Sequence, residues 1–140
     1  MKNLTTLLLL GSFFTFFACI KNNDQENMPE LAQIFQLKIS ENAIFEEQEI
    51  SVIAERVLED NRCPSNIDCI SAGWVTVSFH VTIGTIEYFF QLTLDPNKPQ
   101  DAETEVGGYK IRIVTVNPYP ADSNEIDMKD YSFSLVVENE

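Results

Sequence analysis

From Val75 to Leu94 every second residue is apolar, and a single Gly84-Thr85 pair interrupts the run. A period of two belongs to a strand with one buried face, and a helix, which repeats every 3.6 residues, cannot hold it. If Gly84-Thr85 is a two-residue turn, with Gly84 supplying the positive φ of a type II′ turn, Ile83 faces Ile86 and the remaining cross-strand pairs follow by counting. They are Val81 with Tyr88, Phe79 with Phe90, Val77 with Leu92 and Val75 with Leu94, all apolar. The other face pairs Thr82 with Glu87, His80 with Phe89, Ser78 with Gln91 and Thr76 with Thr93, and is largely polar. A slip of one residue would exchange the two faces, so the register is strongly specified.

The same alternation predicts strands over residues 33–40, 50–58, 74–83, 86–94, 109–117 and 131–138, and no amphipathic helical stretch of ten residues occurs in the mature chain. The last strand should turn Tyr131, Phe133, Leu135 and Val137 inward and Ser132, Ser134 and Glu138 outward. Strand 109–117 is less regular. Ile111 and Ile113 lie on one face and Val114 and Val116 straddle the other, which fits either a central strand covered on both sides or a strand with a bulge. Turn signals stand at Asp95-Pro96-Asn97, Gly107-Gly108 and Pro118-Tyr119-Pro120. Six or seven short antiparallel strands predict an all-β chain: a single antiparallel two-layer β-sandwich, immunoglobulin-like in size, over residues 32–140.

The first residues read as an export signal. Lys2 is followed by a charge-free stretch from Leu4 to Phe17, then Ala18 and Cys19. In a helix that stretch reaches roughly 21 Å, short of the ~30 Å hydrocarbon core, so a permanent membrane span is the weaker reading. Phe16-Phe17-Ala18-Cys19 resembles the lipobox of bacterial lipoproteins, with Phe in place of the more common Leu at its first position. The resemblance implies that residues 1–18 are a cleaved signal peptide and that the Cys19 thiol takes a diacylglycerol. The acyl chains would then hold the protein on a membrane. Residues 19–31 read as a flexible tether, polar from Lys21 to Asn27. Lys21, Asp24 and Glu26 faintly resemble the charged signal that sends some lipoproteins to the cell's outer face, although a solvated linker accounts for them. The protein is expected to be exported and lipid-anchored in the cell envelope, at the outer membrane.

Charge narrows the partners. The chain has 9 basic and 22 acidic residues, and loss of Lys2 with the signal leaves a net charge of −14. Such a surface repels phosphate backbones and anionic headgroups, so nucleic acid is not expected as a partner. With Cys19 assigned to lipid, Cys63 and Cys69 remain as a pair in an oxidising compartment and are expected to form a disulfide. A redox pair would have two intervening residues at a helix start rather than five between strands. A zinc site would need more ligands than two cysteines and the single His80 supply.

Glu59-Asp60-Asn61-Arg62-Cys63-Pro64, followed by Cys69-Ile70-Ser71-Ala72-Gly73, resembles a motif of small uncharacterised bacterial lipoproteins. In that family an acidic pair, Arg-Cys-Pro, a second Cys after a short loop and Ala-Gly precede a strand. The Tyr109 strand, Asn117-Pro118-Tyr119-Pro120 and the closing Tyr131 strand are also similar, so the likeness spans roughly residues 50–138. Members carry Trp before Ala-Gly. Here Ser71 holds that place and Trp74 follows the Gly. The resemblance implies export and fold, and brings no activity.

Three groups of residues are candidates for chemistry. Glu59, Asp60 and Asp68 crowd the cysteine loop, and Asp122, Glu125, Asp127 and Asp130 crowd the last connection. Neither stretch has the spacing of a calcium loop, so capping and solvation explain them and no metal or other cofactor is expected. Arg62 beside Glu59 and Asp60 reads as a local salt bridge or a brace for the loop. His80 has Ser78 as a same-face neighbour ~7 Å away, too far for a proton relay, and reads as a half-exposed strand residue. Trp74, Phe89, Tyr109 and Tyr119 are aromatic candidates for a sugar- or peptide-binding strip, because sandwiches bind through loops or one sheet face. The expected function is that of a membrane-anchored, non-enzymatic envelope protein, binding or structural, with Arg62, Trp74, Phe89 and Tyr119 as the candidate surface. The alternative is a carbohydrate-, peptide- or hydrolase-binding accessory or inhibitor module. A concave groove beside the Cys63 loop would favour a binding module; a pocket joining His80 to two carboxylates would favour an enzyme.

Overall fold

The structure, a computed structural model, describes residues 29–140. The signal peptide, Cys19 and the tether as far as residue 28 lie outside the described residues. The described residues form eight strands: β1 (Ile34–Lys38), β2 (Asn42–Phe45), β3 (Ile50–Asp60), β4 (Val75–Ile83), β5 (Ile86–Leu94), β6 (Glu103–Val106), β7 (Tyr109–Asn117) and β8 (Ser132–Asn139). They make two four-stranded antiparallel sheets. One is a meander in the order β2-β3-β4-β5; the other, of order β1-β8-β7-β6, holds the first and last strands. The protein is an all-β, two-layer sandwich.

The β4–β5 hairpin has the register that alternation predicts, from Ile83 opposite Ile86 to Val75 opposite Leu94. Gly84 takes φ +58 at the turn. Val75, Val77, Phe79 and Val81 are buried and meet the inner face of the other sheet. There Tyr131, Phe133, Leu135 and Val137 point inward as alternation predicts, and the ring of Phe79 meets that of Phe133 edge-on, 6.2 Å between centroids. At the β1–β2 side Phe35 and Phe45 make a second edge-to-face pair at 5.4 Å. Ser134 stands on the polar face yet is buried, because Gln36 and Thr115 each donate a hydrogen bond to its Oγ.

Two strands hold extra residues. In β7 the register shifts between Ile113, opposite Leu135, and Thr115, opposite Ser134. Val114 is the inserted residue, so Val116 returns to the inward face with Ile111 and Ile113. Of the two readings of this strand, the bulge is the one that occurs. In β3 shifts fall between Ala54 and Arg56 and again between Val57 and Glu59. An unbulged β3 would turn Arg56 inward behind Ile50, Val52 and Ala54. The first bulge exposes Arg56 and buries Val57, and the second places Asp60 opposite Val75 at the end of the core. That end of the sandwich carries the site.

Candidate functional site

Asp60 closes the core with a carboxylate and therefore needs partners. Arg62, two residues on, supplies them with a fork: its Nε donates to Oδ1 at 2.8 Å and its Nη2 to Oδ2 at 2.6 Å. Tyr131, inward-facing just before β8, donates its hydroxyl to Oδ2 at 2.9 Å. The guanidinium is itself buried and reaches into the opposite sheet, donating from Nη1 to the Val116 carbonyl (2.6 Å) and from Nη2 to the Pro118 carbonyl (2.9 Å). One cluster thus joins β3 to the ends of β7 and β8 across the two layers. Burial acts to raise the Asp60 pKa, but the hydrogen bonds from Arg62 and Tyr131 and the Arg62 charge outweigh it and hold the carboxyl below its ordinary value. Burial, with the hydrogen bond to anionic Asp60, pushes the Tyr131 phenol up to about 12.

The segment between β3 and β4 is laced to this cluster. Asn61 N–H donates to the Trp74 carbonyl and Cys63 N–H to the Ala72 carbonyl, both at 2.8 Å. Cys63 and Cys69 are joined in a disulfide. Ser65 N–H donates to the Pro120 carbonyl at 3.0 Å, which ties the disulfide loop to the β7–β8 connection. Gly73 has φ +72, and a Cβ there would lie 1.8 Å from the Asn61 carbonyl oxygen, so only glycine fits the crossing.

Between β3 and the β7–β8 connection a cleft of about 360 Å³ opens beside the disulfide loop. Val57 and Leu58 form one wall, Ile126, Met128 and Tyr131 the other, and Pro64 and Pro120 the end nearest the loop. The Val57 N–H donates to Met128 Sδ across it at 3.4 Å. Glu59, Asp60, Asp122 and Glu125 line it with carboxylates, and among the described residues Arg62 is its only basic one. Glu59 accepts from the Trp74 indole N–H at 3.3 Å, and Asp122 accepts from the Asn124 backbone N–H at 2.8 Å in a local turn. Neither they nor Glu125 has a Lys, Arg or His within ion-pair distance among the described residues. Among the described residues no group of three or more His, Cys, Asp or Glu is placed to hold a metal ion.

The four residues expected to share one surface do not share it. Arg62 is 8% exposed and serves as the brace inside the clasp, so it presents almost no surface. Its guanidinium carbon sits 5.2 Å from the centre of the Tyr119 ring, whose outer face is open to solvent. Trp74 stands at the same end of the sandwich, half-exposed, beside a second depression of about 330 Å³ lined by Thr76, Thr93, Asp95, Lys98 and Asp101. Phe89 lies elsewhere. It pairs with His80, six positions along β4 from Trp74, or roughly 20 Å at the rise of a strand. There the two rings stack at 4.4 Å, which covers the imidazole. His80 Nε2 is 3.3 Å from Glu87 Oε1 without hydrogen-bond geometry, and His80 does not line the cleft. Tyr109 is half-buried against the core.

The sequence names a groove beside the Cys63 loop as the mark of a binding module but does not show what lines it. The acidic clusters at 59–60 and 122–130 are visible separately, and the signal that joins them is Tyr131, whose inward parity aims its hydroxyl at Asp60. No protein-family model, curated protein or solved structure matches the chain.

Proposed function

We propose that this chain is a membrane-tethered, non-enzymatic binding module of the cell envelope, and that its contact site is the cleft beside the disulfide loop. One observation carries the reading: an open, partly apolar cleft stands at the end of the sandwich where the hydrogen-bonded Asp60–Arg62–Tyr131 clasp and the disulfide-closed Cys63–Cys69 loop meet. Sites held by packed strands and a braced loop keep their geometry when a partner arrives, and this lowers the entropy cost of binding. The leader, the small residue before Cys19 and the polar tether support an exported, lipid-anchored protein, at the outer membrane, with the domain held off the lipid surface.

A photo-crosslinking residue placed at Ile126, on the cleft wall, should capture a discrete envelope component in intact cells. The same residue at Glu47, exposed at the far end of β3, should capture none. Equal capture at both sites, or none at Ile126, would remove the cleft from consideration. For the anchor, Cys19→Ala should abolish labelling by a radiolabelled fatty acid, and label persisting on the variant would refute lipidation there.

A second reading has its own observation. The depression floored by Trp74 sets an indole beside Asp95 and Asp101, a combination of ring face and acceptors suited to a glycan. A Trp74→Ala change that leaves cleft-dependent capture intact but removes binding to envelope polysaccharide would select it.

A further inference from the structure

We infer that the cleft receives a Lys or Arg side chain from a partner protein, an inference that rests on the cleft being the contact site. The charge balance of the lining comes first. Arg62, its single cation, is consumed by Asp60 and by two backbone carbonyls, and Asp60 is in turn filled by Arg62 and Tyr131. What remains open is three carboxylates, Glu59, Asp122 and Glu125, with no cation of their own chain within reach among the described residues. They are exposed and share the cleft with the apolar side chains of Val57, Leu58, Ile126 and Met128. A long basic side chain matches both features, since its hydrocarbon stem covers apolar surface while its head stays among the carboxylates.

Size and surroundings select the source of that cation. About 360 Å³ is near the lower end of small-molecule pockets and suits one or two side chains rather than a larger ligand. The loops that end at Pro64 and Pro120 expose apolar side chains among polar ones. Ile67, whose N–H is bonded to the Pro64 carbonyl, is 47% exposed, Ile70 in the same loop is fully exposed, and Tyr119 is 52% exposed beside Pro120. A free polyamine would leave these three side chains in water. A protein that inserts a basic residue would cover them, giving the apolar contacts with an Arg or Lys anchor that interfaces use.

The test uses the mature full-length chain, isotopically labelled and held in detergent micelles, with four acetylated and amidated pentapeptides. Their central residue is Arg, Lys, norleucine or Glu, flanked by Gly and Ala, and spermidine serves as a fifth probe. The Arg and Lys peptides should shift the amide resonances of Leu58, Asn124, Glu125 and Ile126 in a saturable way, and the norleucine and Glu peptides should not. Asp122→Asn combined with Glu125→Gln should weaken that binding about tenfold, whereas Glu46→Gln with Glu47→Gln, at the opposite end, should leave it unchanged. Equal binding of norleucine would overturn the cation and leave the cleft as an apolar site. Stronger binding of spermidine would overturn the protein partner. Shifts spread over the whole acidic surface would overturn the site. Capture at Ile126 in cells without any response to the basic peptides would refute this inference while sparing the binding-module reading, and loss of both would end the two together.

Discussion

At the scale of single residues, the molecule depends on a carboxylate placed where a core side chain would otherwise stand. Asp60 faces inward opposite Val75, and its cost of burial is met by Arg62 and Tyr131. Removing one member of such a set leaves the others stranded. Arg62→Leu should destabilise the domain by about 3 kcal/mol, because it leaves a largely buried carboxylate without its counter-charge and takes the guanidinium donors from two carbonyls. Tyr131→Phe, which loses one hydrogen bond to a charged acceptor, should cost about 1.5–3 kcal/mol. The pH dependence carries the sign of each shift. The Asp60 pKa is lowered on folding, so its contribution is complete above the unfolded carboxylate value near 4 and disappears as pH falls through the lower folded value. The Tyr131 pKa is raised to about 12, so its contribution is complete below the unfolded value near 10 and disappears as pH rises from there to about 12. Urea unfolding of the wild type and of Asp60→Asn should therefore show a stability gap at pH 7 that closes progressively below about pH 4. A gap that is the same at acid and neutral pH would mean the clasp is not ionic.

At the scale of elements, how much could be read in advance depends on whether local chemistry and ladder geometry agree. The β4–β5 hairpin was legible because Gly84 fits the turn and every apolar residue falls on one face. β2 was missed because Ala43-Ile44-Phe45 has no alternation, and β6 because Glu103-Thr104-Glu105 has the composition of a loop; pairing with β3 and β7 makes both of them strands. The bulges of β3 were invisible, since an inserted residue shows only when the partner strand is known. The same limit hid the lining of the cleft, whose walls are separated by about seventy residues and are joined by the Tyr131–Asp60 and Val57–Met128 hydrogen bonds. The disulfide loop, by contrast, followed from cysteine arithmetic. Closing so short a loop should contribute about 2–3 kcal/mol, so Cys63→Ser should lower the melting temperature of the non-reduced domain by several degrees. An unchanged midpoint would show the bond to be idle. Gly73→Ala tests the neighbouring crossing. Its Cβ collides with the backbone of Asn61 rather than with a movable side chain, so the loss should exceed that of a turn glycine in open space such as Gly108. If Gly73→Ala and Gly108→Ala cost the same in a thermal melt, the close approach has no energetic role.

At the scale of the whole molecule, an excess of acidic over basic residues sets stability and recognition against each other. With 22 acidic residues and 9 basic in the chain, acidic side chains repel one another, and the few ion pairs among the described residues are mostly at the surface and weak. The field that strains the fold also surrounds the three uncompensated carboxylates of the cleft, where it draws a basic partner inward. Salt acts on both. The screening length falls from about 30 Å at 0.01 M to about 8 Å at 0.15 M, from the dimension of the domain to a fraction of it. The melting temperature should consequently rise by several degrees over that range as self-repulsion is screened. The association rate of a protein presenting an Arg or Lys side chain should fall about tenfold or more over the same range, with a much smaller change in the dissociation rate. Glu46→Lys with Glu47→Lys, far from the cleft, separates the two effects: it should raise the low-salt melting temperature and flatten its salt dependence while slowing association only modestly. If salt moves stability and association in the same direction, the acidic excess serves neither role described for it.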